Sequence, residues 1–432
     1  MCKIIFTLLV AYICGFHTAN SFSIDANILD KCSKTLGIQK ETTSVIFYAK
    51  RKGVALMIFK FLESKSTEKV KLLKQSIRWR YESFLDSPNP PMTVNIVLLT
   101  MLREAVDEIP QTTWPTLPLT FFVSTEFTNA PVNVTTSIYD QIQSTLEGLG
   151  FKMPVGSIVT LTEERKALTY WLSTNILLGT LHSIAYSEPV LVLGKRSNAF
   201  VYAPHITKMQ SFGEDDILCV LIDRCNFQLY RKTYNFGVED IKMGVLKPKD
   251  KGSTVLTSPC IPKSANFTWS YDNKTYIIEG CALESSQAPE TPKEEECNPE
   301  NIRYLNCVAD IKKAVLMHLK QPSPSFAGFN PYIVSSYNLS ENTLFTKSAD
   351  DDTTPINFKN QSWIACMEVF YKHPFLCLET VYMYVMLHEF YKMADNDIMK
   401  FRQHIDKKKI TWALSAAYLT RHGVRYGVGV EL

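Results

Sequence analysis

ETTSVIFYAKRKGVALMIFKF, residues 41–61, sets two β-rich apolar runs on either side of Ala-Lys-Arg-Lys-Gly, and the arrangement reads as strand, turn, strand. The same logic returns at PVLVLGKRSNAFVY, residues 189–202, with Gly-Lys-Arg-Ser-Asn between two apolar strands. The hairpins stand roughly a domain length apart, so the chain reads as two lobes of similar build. Its 432 residues are too many for one ordinary domain and enough for two that each bury a core.

Between and beyond the hairpins the pattern alternates strand and helix signals. Thr67–Phe84 repeats apolar and basic residues at helical spacing and ends in a loop at Pro88–Pro91. Val94–Leu99 reads as a short strand running into a helix near Thr100, Leu117–Val123 and Ser157–Leu161 as strands, and Tyr139–Leu149 as a helix. Glu163–Ser183 is a long helical pattern with an apolar face. Gln287–Glu296 and Ser340–Asn360 are polar and read as surface loops, Trp363–Met393 and Asp395–His404 as mainly helical, and Thr411–Leu419 as an apolar closing segment.

Composition is that of a folded protein, with 46% hydrophobic, 12% aromatic and 21% charged residues. A net charge of +3 and the lack of a long basic tract give no footprint for nucleic acid. Residues 1–22 place Lys3 ahead of an apolar stretch from Ile4 to about Gly15, the pattern of a cleaved signal peptide and too short for a transmembrane anchor. Phe375–Tyr391 carries Glu379, His388 and Glu389 and reads as a buried helix. Five sequons begin at Asn133, Asn266, Asn273, Asn338 and Asn360. Of 11 cysteines, Cys2 and Cys14 would leave with the signal, and the rest fit an oxidising compartment. The expected location is therefore outside the cell or in the lumen of the secretory pathway. The closing Gly-Val-Glu-Leu lacks the residues that an ER-retention tail places before Glu-Leu.

LTEERKALTYWLSTNILLG, residues 161–179, resembles without a gap the motif of the apyrase (ectonucleoside triphosphate diphosphohydrolase) family, with Trp171, Asn175, Leu177, Leu178 and Gly179 matching. Val45–Ala49 and Ile58–Phe61 stand at that family's first phosphate-binding hairpin. Asn95–Arg103 stands at its Thr-Ala-Gly-Met-Arg motif, Val192–Ser197 at its Asp-Leu-Gly-Gly-Ala-Ser motif and Trp412–Ser415 at its late Trp-x-Leu-Gly. The resemblance runs from about Ser44 to about Ala417. It implies an α/β fold of two RNase H-like lobes of the actin and hexokinase type with a cleft between them. An N-terminal lobe would comprise residues 23–165 plus 410–432, and a C-terminal lobe of residues 166–409 would carry disulfides and glycosylated loops. It also implies pairing of Cys260 with Cys297, Cys281 with Cys307, and Cys366 with Cys377.

What the resemblance implies for chemistry is mostly loss. Cleaving a terminal phosphate needs a divalent cation, backbone amides around the phosphates and a carboxylate to activate water. In the resembled family, an aspartate on each hairpin organises the cation's hydration shell; here those positions hold Tyr48 and Val192. The catalytic glutamate aligns with Lys166, the wrong charge for a base, and a slipped register would offer Glu164 or Glu163 instead. Gly53, Arg103, Gly194 and Ser197 survive, with Lys195 and Arg196 beside them, as candidate nucleotide-binding residues; no metal ligands are expected. The turn residues Lys50, Arg51, Lys52, Lys195 and Arg196 could hold an anion without metal, or be solvated turn cations, and the second reading comes first. The expectation is a glycoprotein without hydrolysis or cofactor that binds a protein partner, a nucleotide or another small anion. The alternative is a divergent nucleoside phosphatase dependent on Ca or Mg. No His-Glu-x-x-His, Cys-x-x-Cys, Gly-x-Ser-x-Gly or Walker loop occurs, and His182, His318, His388 and Trp171 read as structural.

Overall fold

The computed structural model describes residues 39–64, 70–153, 156–181, 186–204, 217–222, 225–272, 274–280, 299–318, 326, 329–335, 352–367 and 373–421. The readings made for residues 1–22, His182, Asn273, Cys281, Gln287–Glu296, Cys297, Asn338 and the last four residues lie outside these. The chain divides into two compact units. The described part of unit 1 runs to Leu161 and resumes at Asn175 and at Ala413; unit 2 holds Thr162–Thr174 and the described residues up to Trp412.

In unit 1, β1 (Gln39–Lys50) pairs antiparallel with β2 (Gly53–Ser64), and β2 antiparallel with β3 (Val70–Arg80). Two further strands, β4 (Leu119–Ser124) and β5 (Ile158–Leu161), extend the sheet parallel to β1, giving the order β3-β2-β1-β4-β5. Helices α1 (Pro90–Glu104) and α2 (Val132–Gly148) pack Val94, Val97, Leu98, Met101, Ile138 and Ile142 against Val45, Phe47, Val54 and Leu56. Each such side chain contributes roughly 1.5–3 kcal/mol through removal from water. Both faces of β1 are covered: Ile46 and Tyr48 are as buried as Phe47, which stacks on Phe121 at 5.5 Å. That explains why β1 and β4 read as continuous apolar runs and not as alternating ones.

A long helix, α3 (Glu163–Leu178), follows, and the boundary between the units falls within it, after Thr174. In unit 2, β6 (Val190–Leu193) and β7 (Asn198–Tyr202) form the second hairpin, followed by β8 (Ile217–Ile222) and β9 (Cys225–Tyr234). After α4 (Val238–Val245), strands β10 (Lys247–Pro248), β11 (Val255–Ser258), β12 (Asn266–Tyr271) and β13 (Lys274–Gly280) make a separate sheet. Next come α5 (Pro299–His318), β14 (Tyr332–Ser335), β15 (Asp352–Thr353), α6 (Pro355–Met367), α7 (Leu376–Tyr384) and β16 (Met399–Phe401). The main sheet is ordered β15-β16-β14-β6-β7-β9-β8. Within it, β9-β7-β6-β14-β16 repeat the order and directions of β3-β2-β1-β4-β5. The similarity of build that the two hairpins suggested is thus a shared strand topology.

Several local readings are corrected. Thr67–Phe84 contains a strand and not a helix: β3 is an edge strand that fully buries only Leu72, so no clean alternation marks it, and pairing with β2 overrides local propensity. Val94–Leu99 is helical, and the supposed loop at Pro88–Pro91 is the start of α1. The Asn89 side chain caps the helix by accepting from the Met92 N–H, and Pro90 and Pro91 have φ preset for its first turn. The loop proposed for Ser340–Asn360 gives way to α6 from Pro355. Asp395–His404 is not helical; it holds β16, which gains its hydrogen bonds from β14, and the start of a short hairpin of His404–Ile405 with Lys408–Lys409. The closing apolar segment is helix α8 (Trp412–Arg421). Phe375–Tyr391 is buried, as α7 running into a wider turn over Val385–Phe390, and no helix among the described residues is long and apolar enough to cross a membrane.

The disulfides also depart from expectation. Cys366 pairs with Cys377 as implied, but Cys260 pairs with Cys307, which overturns the Cys260–Cys297 and Cys281–Cys307 pairing. The reason is packing: α5 turns Cys307 into the unit 2 core, where Cys260 is equally buried.

Glu108, just beyond α1, ties β3 to the helix layer. Its carboxylate accepts from Ser76 Oγ at 2.7 Å and Arg78 Nη2 at 2.6 Å and pairs with Lys74 at 3.2 Å. Burial alone would raise this carboxyl, but those partners hold it down at about 2. A depressed folded-state value means stability that is present above the ordinary carboxyl range and lost as pH falls toward the folded value. Urea unfolding between about pH 5 and pH 2 should show a loss of roughly 2 kcal/mol that Glu108→Gln abolishes; an unchanged acid slope in the variant would refute the assignment.

Candidate functional site

The first hairpin turn, Lys50–Gly53, is shaped by a close backbone approach. Gly53 has φ +143°, and a Cβ there would lie 2.0 Å from the Arg80 carbonyl oxygen, so the strand can pass β3 only as glycine. The amide that this turn presents is already used: the Arg51 N–H donates to Glu126 Oε2 at 2.8 Å, and Ser124 Oγ donates to the same oxygen at 2.9 Å. A carboxylate of the protein thus takes up this amide. The Arg51 guanidinium forks onto Asp86, with bonds of 3.2 and 2.9 Å, and Lys50 lies over the rings of Tyr48 and Trp79 at 5.2 and 5.8 Å. Because the Arg51–Asp86 pair is half exposed, it contributes about 0–1 kcal/mol. Gly53 and Glu126 therefore fix the turn more than the ion pair does.

The second turn, Gly194–Ser197, closes through a Gly194 N–H to Ser197 carbonyl bond of 2.9 Å. Its carbonyls point at the start of α4, accepting from the N–H groups of Val238 and Glu239 at 3.2 and 2.9 Å. Gly237 allows that approach, since a Cβ there would come within 2.4–2.5 Å of Lys195 and its neighbours. Arg196 turns to Asp240 at 3.2 Å and Asp272 at 2.8 Å and stacks on the Tyr271 ring at 4.2 Å. Burial, and then the bond that Tyr271 donates to Asp240, push the Tyr271 hydroxyl up to about 12.

Beside this turn, Glu163 opens α3, where the helix dipole favours a carboxylate. Ser197 Oγ donates to Glu163 Oε2 at 2.7 Å, and the Lys166 ammonium donates to Oε1. Tyr170, on the same helix, is pushed up to about 12 by burial and then by the charge of Glu163. Ser197, Glu163 and Lys166 form one local cluster within unit 2.

Of the sequence candidates, the structure brings Ser197 and Lys166 together through Glu163. Glu164 has no hydrogen-bond or ion-pair partner among the described residues, and Arg103 is exposed in the last turn of α1 without a polar partner among them. Trp171 and Asn175, on the same helix, are fully buried. A divalent cation does not fit these residues. Tyr48 and Val192 are buried, at 5% and 6% exposure, and offer no carboxylate; Glu126 and Glu163 are engaged by donors. Among the described residues, the only close group of potential ligands is Cys307, Cys366 and Cys377, all in disulfides. Arg51 and Arg196 have carboxylate partners.

Glu126, Asp86, Asp240, Tyr271 and Gly237 escaped the sequence reading. Glu126 and Asp86 lie 75 and 35 residues from Arg51, Asp240 lies 44 from Arg196, and Tyr271 and Gly237 meet the second turn only in space, so no local spacing marks them.

The GDA1/CD39 (nucleoside phosphatase) family model matches residues 37–425. Ectonucleoside triphosphate diphosphohydrolase 5 of Mus musculus is 20% identical over 393 residues, which covers 87% of this chain and 86% of that protein. Nucleoside-diphosphatase uda-1 of Caenorhabditis elegans is 22% identical over 413 residues, 87% of this chain and 81% of its own. Among solved structures, a nucleoside triphosphate hydrolase from Neospora caninum aligns over 92% of this chain and 95% of its own, with a TM-score of 0.59 at 11% identity. That likeness speaks for the fold, which is α/β of the actin and hexokinase type as the resemblance implied. With the family model spanning all of the described residues, this chain belongs to the GDA1/CD39 nucleoside phosphatase family.

Proposed function

We propose that this chain is a family member without nucleotide hydrolysis, carried into the secretory pathway, where it acts by binding a protein partner. The observation that carries this reading is the Lys166 ammonium bound to Glu163, Lys166 being the residue that the resemblance aligns with the family's catalytic base. An ammonium has no acceptor with which to take a proton from water. Tyr48 and Val192 support the reading by removing the carboxylates that would arrange a cation, and Glu126 by filling the first turn's amide. Occupied guanidinium groups argue against a nucleotide as the bound partner. The secretory location rests on residues 1–22 and the five sequons.

A second reading has one observation in its favour: Glu163 already bonds the Ser197 hydroxyl, so hydrolysis with Ca or Mg could proceed from Glu163, with Glu164 as the other candidate. Purified protein given Ca or Mg and a panel of nucleoside di- and triphosphates should release no phosphate, and Lys166→Glu alone should not change that. Release that disappears in Glu163→Gln or Glu164→Gln would establish the second reading and sink the first.

The first turn gives a separate expectation. Glu126→Ala should cost about 1–3 kcal/mol in urea unfolding by stranding the Arg51 amide and Ser124 hydroxyl, and calorimetry with inorganic phosphate should still show no binding. A variant as stable as the parent would mean that the carboxylate does not hold the turn.

A further inference from the structure

Helix α2 buries Ile138, Ile142 and Leu146 in the unit 1 core and turns a continuous polar face the other way. Along that face Asn133, Thr136, Ser137, Asp140, Gln141 and Ser144 recur at helical spacing, and with Pro91 at the start of α1 they line an open groove of about 550 Å³. Its volume lies in the range of small-molecule sites, roughly 300–1,000 Å³. Its chemistry is different, because the walls are hydroxyl, amide and carboxylate groups and not apolar side chains. Thr136, Ser137, Asp140 and Ser144 have no hydrogen-bond partner among the described residues. Gln141 donates to Thr145 at 2.9 Å, which fixes its amide along the wall.

Asn133 both lines this groove and heads the sequon Asn133-Val-Thr135. Its side chain is exposed in the first turn of α2, while the Thr135 hydroxyl turns inward onto the Val132 carbonyl at 3.0 Å. The other described sequons lie in different settings: Asn266 is on strand β12 and Asn360 on α6, both exposed. We infer that Asn133 carries an N-linked glycan and that its proximal N-acetylglucosamine units lie in the α1–α2 groove, bonded to Thr136, Asp140 and Ser144. This rests on the secretory reading above. The Asn133 amide nitrogen bonds to the anomeric carbon of a lipid-pyrophosphate-linked oligosaccharide, the lipid pyrophosphate leaves with the bonding pair, and the amide proton passes to solvent. Along this stripe a tethered sugar would meet exposed hydroxyl and carboxylate groups that bond it in place of water, with Pro91 against one ring face.

The test uses the full chain made in a secreting eukaryotic host. Glycopeptide mass spectrometry should find a glycan on Asn133, and the protein should melt about 2–4 °C above Asn133→Gln. Trimming to a single N-acetylglucosamine should retain most of the shift. Asp140→Ala with Ser144→Ala should abolish the shift in the glycosylated protein and leave the melting temperature of the Asn133→Gln protein unchanged. An unmodified Asn133 on molecules carrying a glycan at Asn266 or Asn360 would overturn the inference, as would equal melting temperatures with and without the Asn133 glycan. Free diacetylchitobiose protecting residues 136–144 from hydrogen exchange in Asn133→Gln at micromolar concentration would assign the groove to an exogenous saccharide and also overturn it. Recovery of the protein only in the cytosol would instead defeat the secretory reading.

Discussion

A strand covered on both faces can present chemistry only at its ends, and this constraint governs both units. In unit 1, β1 has Val45, Phe47 and Ala49 against the helices and Ile46 and Tyr48 buried on its other side. In unit 2, Val190–Leu193 are all buried. Substitution along such strands is paid in stability, so what a unit of this topology can do depends on the short turns where the strands emerge.

Each turn is closed by the protein's own groups. Glu126 accepts the Arg51 amide and Asp86 takes its guanidinium, while Asp240, Asp272 and Tyr271 hold Arg196. Two glycines have packing reasons of their own: Gly53 admits the Arg80 carbonyl and Gly237 admits the second turn. Ser197 is likewise retained within a pairing to Glu163, which Lys166 shares. A family-level label would assign hydrolysis to this fold, but function is argued from side chains such as these and not from the fold alone.

The buried ion network of unit 2 shows the same economy. Lys242 is 4% exposed and pairs with Glu239 at 2.8 Å and Glu379 at 2.7 Å, beneath Phe375. Its desolvation is opposed by the two carboxylates, which raise its affinity for the proton. Removing one partner from such a cluster strands a buried charge, so these residues serve the packing of α4 against α7 and not a ligand.

By itself the sequence determined the two hairpins, the helix from Glu163 with its buried Trp171 and Asn175, and the absence of carboxylates at positions 48, 192 and 166, because these are local patterns or single identities. It misjudged β3, whose edge position buries too little to leave a period, and α1, whose Asn89-Pro90-Pro91 start resembles a loop until the cap is seen to close. Only the tertiary structure decided that Cys260 meets Cys307, that Glu126 fills the first turn and that Glu163 joins Ser197 to Lys166. The partners in the first two lie 47 and 75 residues apart, and Ser197 lies 34 from Glu163. Contacts over such separations follow from how strands and helices pack, which no local spacing along the chain encodes.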